Sequence, residues 1–165
     1  MHTDRPDDTS REFLQAVEQH GGIINKICYY YARDPEEFND LRQEALVHLW
    51  QGWEQFGGRS QLSTWIYRVC LNSCISNFRS RGGRDTVSLH SIAEPEVPAG
   101  ADRPELLRHL HSLIGQLAPR EKAVIMMWLD SYPYDSIAEV MGVPRNTVAS
   151  WVKRIKEKLV RMSNS

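Results

Sequence analysis

Apolar residues recur at three- and four-residue spacing through most of the chain, and no segment alternates in the manner of a strand. The first predicted helix covers about Arg11 to His20, with Phe13, Leu14 and Val17 facing inward, and Gly21-Gly22 interrupts it. The second, near Ile23 to Arg33, presents Ile24, Ile27, Cys28 and Tyr31. Asp34-Pro35-Glu36-Glu37 then reads as a helix start. Asp34 caps, Pro35 takes the first helical position, and Glu37 can reach back to the cap. The helix it opens runs to about Trp53. Leu41, Ala45, Leu46, Leu49, Trp50 and Trp53 cover so much of its circumference that it should lie at the centre of a first domain. Its early polar residues Asp40, Gln43 and Glu44 must face solvent or a partner.

Phe56 to Gln61 is a loop by composition, and a further helix runs from near Ser63 to about Arg81. Leu62, Ile66, Val69 and Cys70 can pack inward, which leaves Trp65, Tyr67, Arg68, Asn72 and Ser76 for other contacts. A glycine loop beside aromatic, Arg and Asn side chains can stack bases and hold phosphates, although such residues also decorate ordinary helix surfaces. Between Gly82 and Arg103 the periodicity stops, and Pro95, Pro98, Gly100 and Pro104 fall close together. The expected fold is therefore all-α: two small helical domains, residues 1–85 and 104–165, joined by a flexible linker at 86–103. In the second domain Leu106, Leu107, Leu110, Leu113, Ile114 and Leu117 should face inward, and Ala118-Pro119-Arg120-Glu121 restarts the chain as another helix.

The second domain ends in a predicted helix-turn-helix. Ile137, Ala138 and Met141 mark one face of a short helix, Gly142 can take a left-handed stop, and Pro144 sits where the next helix begins. Val148, Val152, Ile155 and Leu159 then form one apolar stripe, opposite Asn146, Ser150 and Lys153. A helix that is apolar on one side and hydrogen-bonding on the other, held across a glycine turn, fits the major groove. An ordinary helical hairpin is the plainer alternative.

The net charge of −1 over 165 residues argues against a nucleic-acid binder only until its distribution is read. Met1 to Glu44 holds ten acidic and five basic residues, whereas Arg145 to Met162 holds six basic residues against Glu157 alone. One end is suited to phosphate and the other to something else. Cys28, Cys70 and Cys74 have no ligand set around them and read as buried thiols, and no metal or cofactor is expected. No apolar run is long enough to span a bilayer and the acidic start is unlike a signal peptide, so a soluble cytoplasmic protein is expected.

Two sets of segments resemble one family. Asp40-Leu41-Arg42-Gln43-Glu44, Leu49-Trp50, Gly58-Arg59-Ser60, Ser63-Thr64-Trp65-Ile66-Tyr67-Arg68-Val69 and Asn72 are similar to region 2 of bacterial extracytoplasmic-function sigma factors. Leu117 to Glu121, Ile137 to Val143 and Thr147-Val148 are similar to their region 4. The resemblance implies a promoter-specificity subunit that partners core RNA polymerase and promoter DNA and is not an enzyme. It implies that Asp40, Leu41, Gln43 and Glu44 meet the polymerase clamp. It places Arg59, Ser60 and Thr64 at a loop that captures an extruded base of the −10 element, with Arg68, Asn72 and Ser76 beneath the strand. Arg145, Asn146, Thr147, Ser150, Lys153 and Arg154 would read the −35 element. An anti-sigma factor is a further partner that the family implies, with no direct membrane insertion of this chain. Where family members often carry bases, this chain has Ala149 and Trp151; Ala149 offers only a methyl contact, for instance to thymine. The competing reading is a free-standing helix-turn-helix regulator that binds duplex DNA without polymerase. A nucleic-acid-processing enzyme finds no support in paired carboxylates, a phosphate loop or a nucleophile–base pair.

Overall fold

A computed structural model describes residues 5–58, 61–80 and 104–165, and among them every regular element is a helix. The order is α1 (Arg5–Gln19), α2 (Gly21–Tyr31), α3 (Pro35–Phe56), α4 (Leu62–Ser80), α5 (Pro104–Gly115), α6 (Pro119–Leu129), α7 (Tyr134–Met141) and α8 (Arg145–Ser163). The linker expected at 86–103, together with Arg59 and Ser60, lies outside the described residues.

In the first half, α4 packs on both α2 and α3, and α1 leans on α2. The cap of α3 forms as the sequence predicts, with the Asp34 carboxylate accepting from Glu37 N–H at 2.8 Å. Glu37 reaches back one residue further than expected. Its carboxylate accepts from the backbone N–H and the guanidinium of Arg33 instead of the cap residue. The helix stops at Gly57, whose φ of 56° is the left-handed conformation of a helix end.

In the second half, α6 is the buried centre, with Lys122 through Met127 all shielded from solvent. It is flanked by α5, α7 and α8. Glu121 fixes the start of α6 by accepting from Ala118 N–H at 2.9 Å and from Lys158 Nζ at 2.9 Å.

The two halves are closed on one another. Helix α4 contacts α6 and α7, α2 contacts α5, and one continuous apolar core runs from Phe13 to Ile155. This closure corrects several face assignments. Tyr67 and Trp65, expected to be available, are buried, and Leu71 and Cys74 join Ile66 and Cys70 inside. A helix packed on both sides has no free apolar stripe to read. Leu14, Trp50 and Leu106, expected inside, are 62%, 46% and 56% exposed, because their neighbours in space cover only the adjacent flank of each helix. Val140 joins Ile137 as a fully packed side chain of α7, while Ala138 and Met141 pack partly against the core. The three cysteines are buried and unbridged, as their surroundings in sequence suggest.

Candidate nucleic-acid interface

The helix-turn-helix is built as its sequence predicts. Gly142 adopts φ 68° and ψ 35°, and its N–H donates to Ala138 O, closing α7. Val143 N–H also donates to Ala138 O at 3.1 Å. Val148, Val152 and Ile155 bury one face of α8 against the domain, with Leu159 partly covered. That anchoring turns Arg145, Asn146, Ser150, Lys153 and Arg154 outward, all exposed, with Thr147 half-buried at the entry to the helix. Arg145 lies 5.9 Å over the Tyr134 ring and 3.4 Å from Asp135, in an ion pair so exposed that it leaves the guanidinium accessible. Trp151 packs partly against the core and lines a cleft with Arg120, Glu121, Val124, Arg154 and Ile155. Ala149 is half-buried. Lys156, absent from the expected contact set, is also exposed and sits 4.8 Å over the Trp128 ring. Its place in the basic run of α8 was the available signal. The outward face of α8 is thus a row of hydrogen-bonding and cationic groups on a rigid support, as base-edge and phosphate contacts require.

Helix α4 carries the second group of expected contacts, and the structure divides it. Asn72 and Ser76 are exposed on one side. Thr64 is 2% exposed, on the same helix as the buried Tyr67 one turn later. Arg68 donates from Nη2 to Glu139 Oε1 of α7 at 2.7 Å, so its charge is already paired. The loop residues Arg59 and Ser60 fall outside the described residues, next to Gly57 and Gly58, both of positive φ.

On α3 the outer face carries Asp40, Gln43 and Glu44, all exposed. Leu41, expected among them as a partner contact, is fully buried, because one residue along a helix turns the side chain about 100°. It supports that face from beneath. The same outward stripe continues into Val47 and Trp50, 52% and 46% exposed, which the sequence pattern assigned to the interior or left aside. Three and six or seven residues from Glu44 and Gln43, they extend an acidic patch into an apolar one.

Among the described residues no three His, Cys, Asp or Glu side chains are grouped to hold a metal, and no helix is long and apolar enough to cross a membrane.

Known proteins share this arrangement. The family described as Sigma-70 region 2 matches residues 16–84, and that described as Sigma-70, region 4 matches residues 107–159. The chain is 28% identical to the RNA polymerase sigma-H factor of Pseudomonas aeruginosa, over 93% of this chain and 86% of that protein. It is 24% identical to the extracytoplasmic-function RNA polymerase sigma factor SigW of Bacillus subtilis, over 89% of this chain and 86% of that protein. In fold it is similar to the sigma factor RpoE of Bartonella quintana, solved in complex with the anti-sigma factor NepR. The TM-score is 0.70 at 21% identity, over 95% of this chain and 97% of that one. It is also similar to CnrH, solved with the cytosolic domain of CnrY, with a TM-score of 0.67 at 21% identity over 94% and 89% of the two chains. Two matched regions in the family's order, on a helical fold shared with its solved members, make this chain a member of the sigma-70 family: an RNA polymerase sigma factor of the extracytoplasmic-function type.

Proposed function

We propose that this sigma factor divides its work among three surfaces. The outward face of α8, with Arg145, Asn146, Thr147, Ser150, Lys153 and Arg154, reads the −35 element. Helix α4 and the loop before it, with Arg59, Ser60, Thr64, Arg68, Asn72 and Ser76, hold the −10 strand. The outer face of α3, with Asp40, Gln43 and Glu44, meets core polymerase, and Leu41 sets that face from below. Residues 1–85 and 104–165 act as the two functional domains, with 86–103 as the connection. The observation that carries this reading is the anchored helix-turn-helix, whose apolar stripe is buried and whose basic face is turned outward. Carboxylates and an amide on α3 suit a basic partner surface, and opposite charge there speeds encounter as well as selecting the partner.

Sigma factors are transcription initiation factors without catalysis of their own, and this chain directs core enzyme to promoters in the same way, in the cytoplasm. Its other partner is an anti-sigma factor, in keeping with the complex in which the similar RpoE was solved.

The experiment separates strand capture from duplex binding. If the loop and α4 hold a base after it leaves the stack, their contacts form only once the duplex opens. Arg59→Ala combined with Asn72→Ala should reduce run-off transcription from a matched promoter. A template with mismatches through the −10 region and native non-template bases should regain part of the loss, because its unpairing cost of a few kcal/mol is already met. Equal run-off by variant and wild type on the matched template removes this surface from the mechanism.

A further inference from the structure

We propose that Gly52 and Trp65 are positioning residues for −10 strand capture. With Phe56 they form an aromatic clasp that fixes the end of α3 against the start of α4. Phe56 is the last residue of α3, and Trp65 lies in the first turn of α4. Their rings meet at 4.9 Å, tilted by 37°. The contact closes across the two ends of the loop that joins these helices. Trp53 backs both rings, stacked on Phe56 at 6.4 Å and 6.0 Å from Trp65. Phe13 of α1 extends the cluster, edge-on to Trp53 at 5.5 Å and to Trp50 at 5.0 Å. These separations lie in the range where aromatic pairs attract beyond what their burial alone supplies.

Gly52 is what lets the clasp seat. It stands inside α3, where glycine is less favourable than alanine, so its presence there calls for a reason in packing. That reason is Trp65. A Cβ built on Gly52 would stand 3.2 Å from Cζ2 of the Trp65 indole, tighter than ordinary van der Waals contact. The indole therefore lies directly on the α3 backbone and is 9% exposed. The Trp65 N–H in turn donates to Gln61 O at 3.0 Å, which ties the residue to the loop end of α4. Thr64 is its chain neighbour, and Arg68 follows one turn later on the same helix. The clasp holds α4 at one height against α3, so groups in the first turns of α4 keep their places relative to the loop. It also ties the loop ends before a strand arrives, so less conformational entropy is lost on capture. Groups supported from behind in this way stay in binding geometry, and small displacements of such groups are felt at the site they serve. Gly52 and Trp65 act through the loop and α4, not by touching the strand. The role in capture rests on the reading of α4 and its loop as the −10 surface; the clasp itself does not.

The test uses the full-length protein with core polymerase, on the matched promoter and on the template with mismatches through the −10 region. Gly52→Ala sets one methyl against Cζ2, and Gly52→Val adds more. Both variants should keep their helicity by circular dichroism and bind core polymerase as wild type does. Run-off from the matched promoter should fall several-fold for Gly52→Val and less for Gly52→Ala. The mismatched template should regain part of that loss. Trp65→Phe replaces the two-ring indole, to which Cζ2 belongs, by a single smaller ring and makes room for the added methyls. Gly52→Val combined with Trp65→Phe should therefore recover matched-promoter run-off relative to Gly52→Val alone. If Gly52→Val loses helicity, Gly52→Ala alone and with Trp65→Phe carries the same comparison. Folded Gly52 variants with wild-type run-off would overturn the clasp, as would a double variant no more active than the Gly52 variant. An equal loss on both templates, or a parallel loss of core affinity, would overturn the positioning role. Failure of the −10 reading shows separately, as matched-promoter run-off indifferent to Arg59→Ala with Asn72→Ala.

Discussion

Lys122 is 2% exposed, and an ammonium group that deep costs several kcal/mol unless something replaces its water. The replacement comes from the other half of the molecule. Its Nζ meets Tyr30 O at the end of α2, a helix with no basic residue in its own last turn, and lies 5.3 Å from the Tyr31 ring. A cation there completes the negative end of the helix. Four buried acids share the interior. Burial pushes the Tyr31, Tyr67 and Cys70 protons to higher pH, with the Asp130 carboxylate adding to the effect on Tyr67. For Cys74 a hydrogen bond to Cys28 acts first and burial second. In the unfolded chain such groups ionise from about pH 8.5 to 10. Raised folded values mean that the folded state binds more protons above that range, so their contribution is complete below it and is lost as pH climbs. Each group fully within its window removes about 1.4 kcal/mol per pH unit. Urea midpoints should accordingly fall between about pH 9 and about pH 11, and a constant midpoint across that interval would contradict the burial of these groups. The buried thiols and Tyr31 were legible in the sequence, whereas Lys122 and Tyr67 were not. Lys122 reads as an ordinary polar position, and what buries it comes from a helix more than ninety residues earlier.

At the scale of the element, local chemistry was the most legible part. Asp34 and Pro35 start α3, Gly142 ends α7, and the apolar stripe of α8 is the one that packs. These features depend on a few adjacent residues, so a single sequence carries them. Faces were less legible wherever a helix has neighbours on two sides. On α4 both flanks are covered, so Tyr67 looked available and is not. On α3 the aromatic Trp50 looked internal and stands at the edge of the acidic face. Gly142 gives a clean test of the turn. Its φ of 68° disfavours any residue with a Cβ, while a Cβ built there meets nothing within 4 Å. Gly142→Ala should thus lower stability by about 1–2 kcal/mol through the backbone alone. Asn tolerates this conformation better, so Gly142→Asn should cost less. Thermal or urea unfolding of both variants measures this, and equal stability of wild type and the Ala variant would show that the turn relaxes.

The whole molecule shows why site residues were easier to name than to place. Among the segments that resemble the family, Arg145, Asn146, Ser150, Lys153 and Arg154 are exposed on α8 and Asp40, Gln43 and Glu44 on α3, but Leu41 and Thr64 are buried and Arg68 is paired with Glu139 of the other half. Closure of the halves depends on contacts such as Tyr67 with Asp130 and Lys26 with Asp130, sixty to a hundred residues apart, which no local pattern reports. Charge asymmetry did survive the step from sequence to structure. The basic C-terminal helix is outward, and the acids of α3 are exposed on a separate surface.

The most direct measurement is therefore reconstitution. Purified protein and cognate core polymerase are mixed, separately and together, with a fragment carrying a promoter mapped in the source cell, and run-off product is compared with duplex binding by the protein alone. A discrete transcript should appear only when both proteins are present, with little specific duplex binding by the protein alone. Tight, specific duplex binding by the protein alone, without any promoter-dependent transcript in its presence with core, would contradict the account and favour a free-standing regulator.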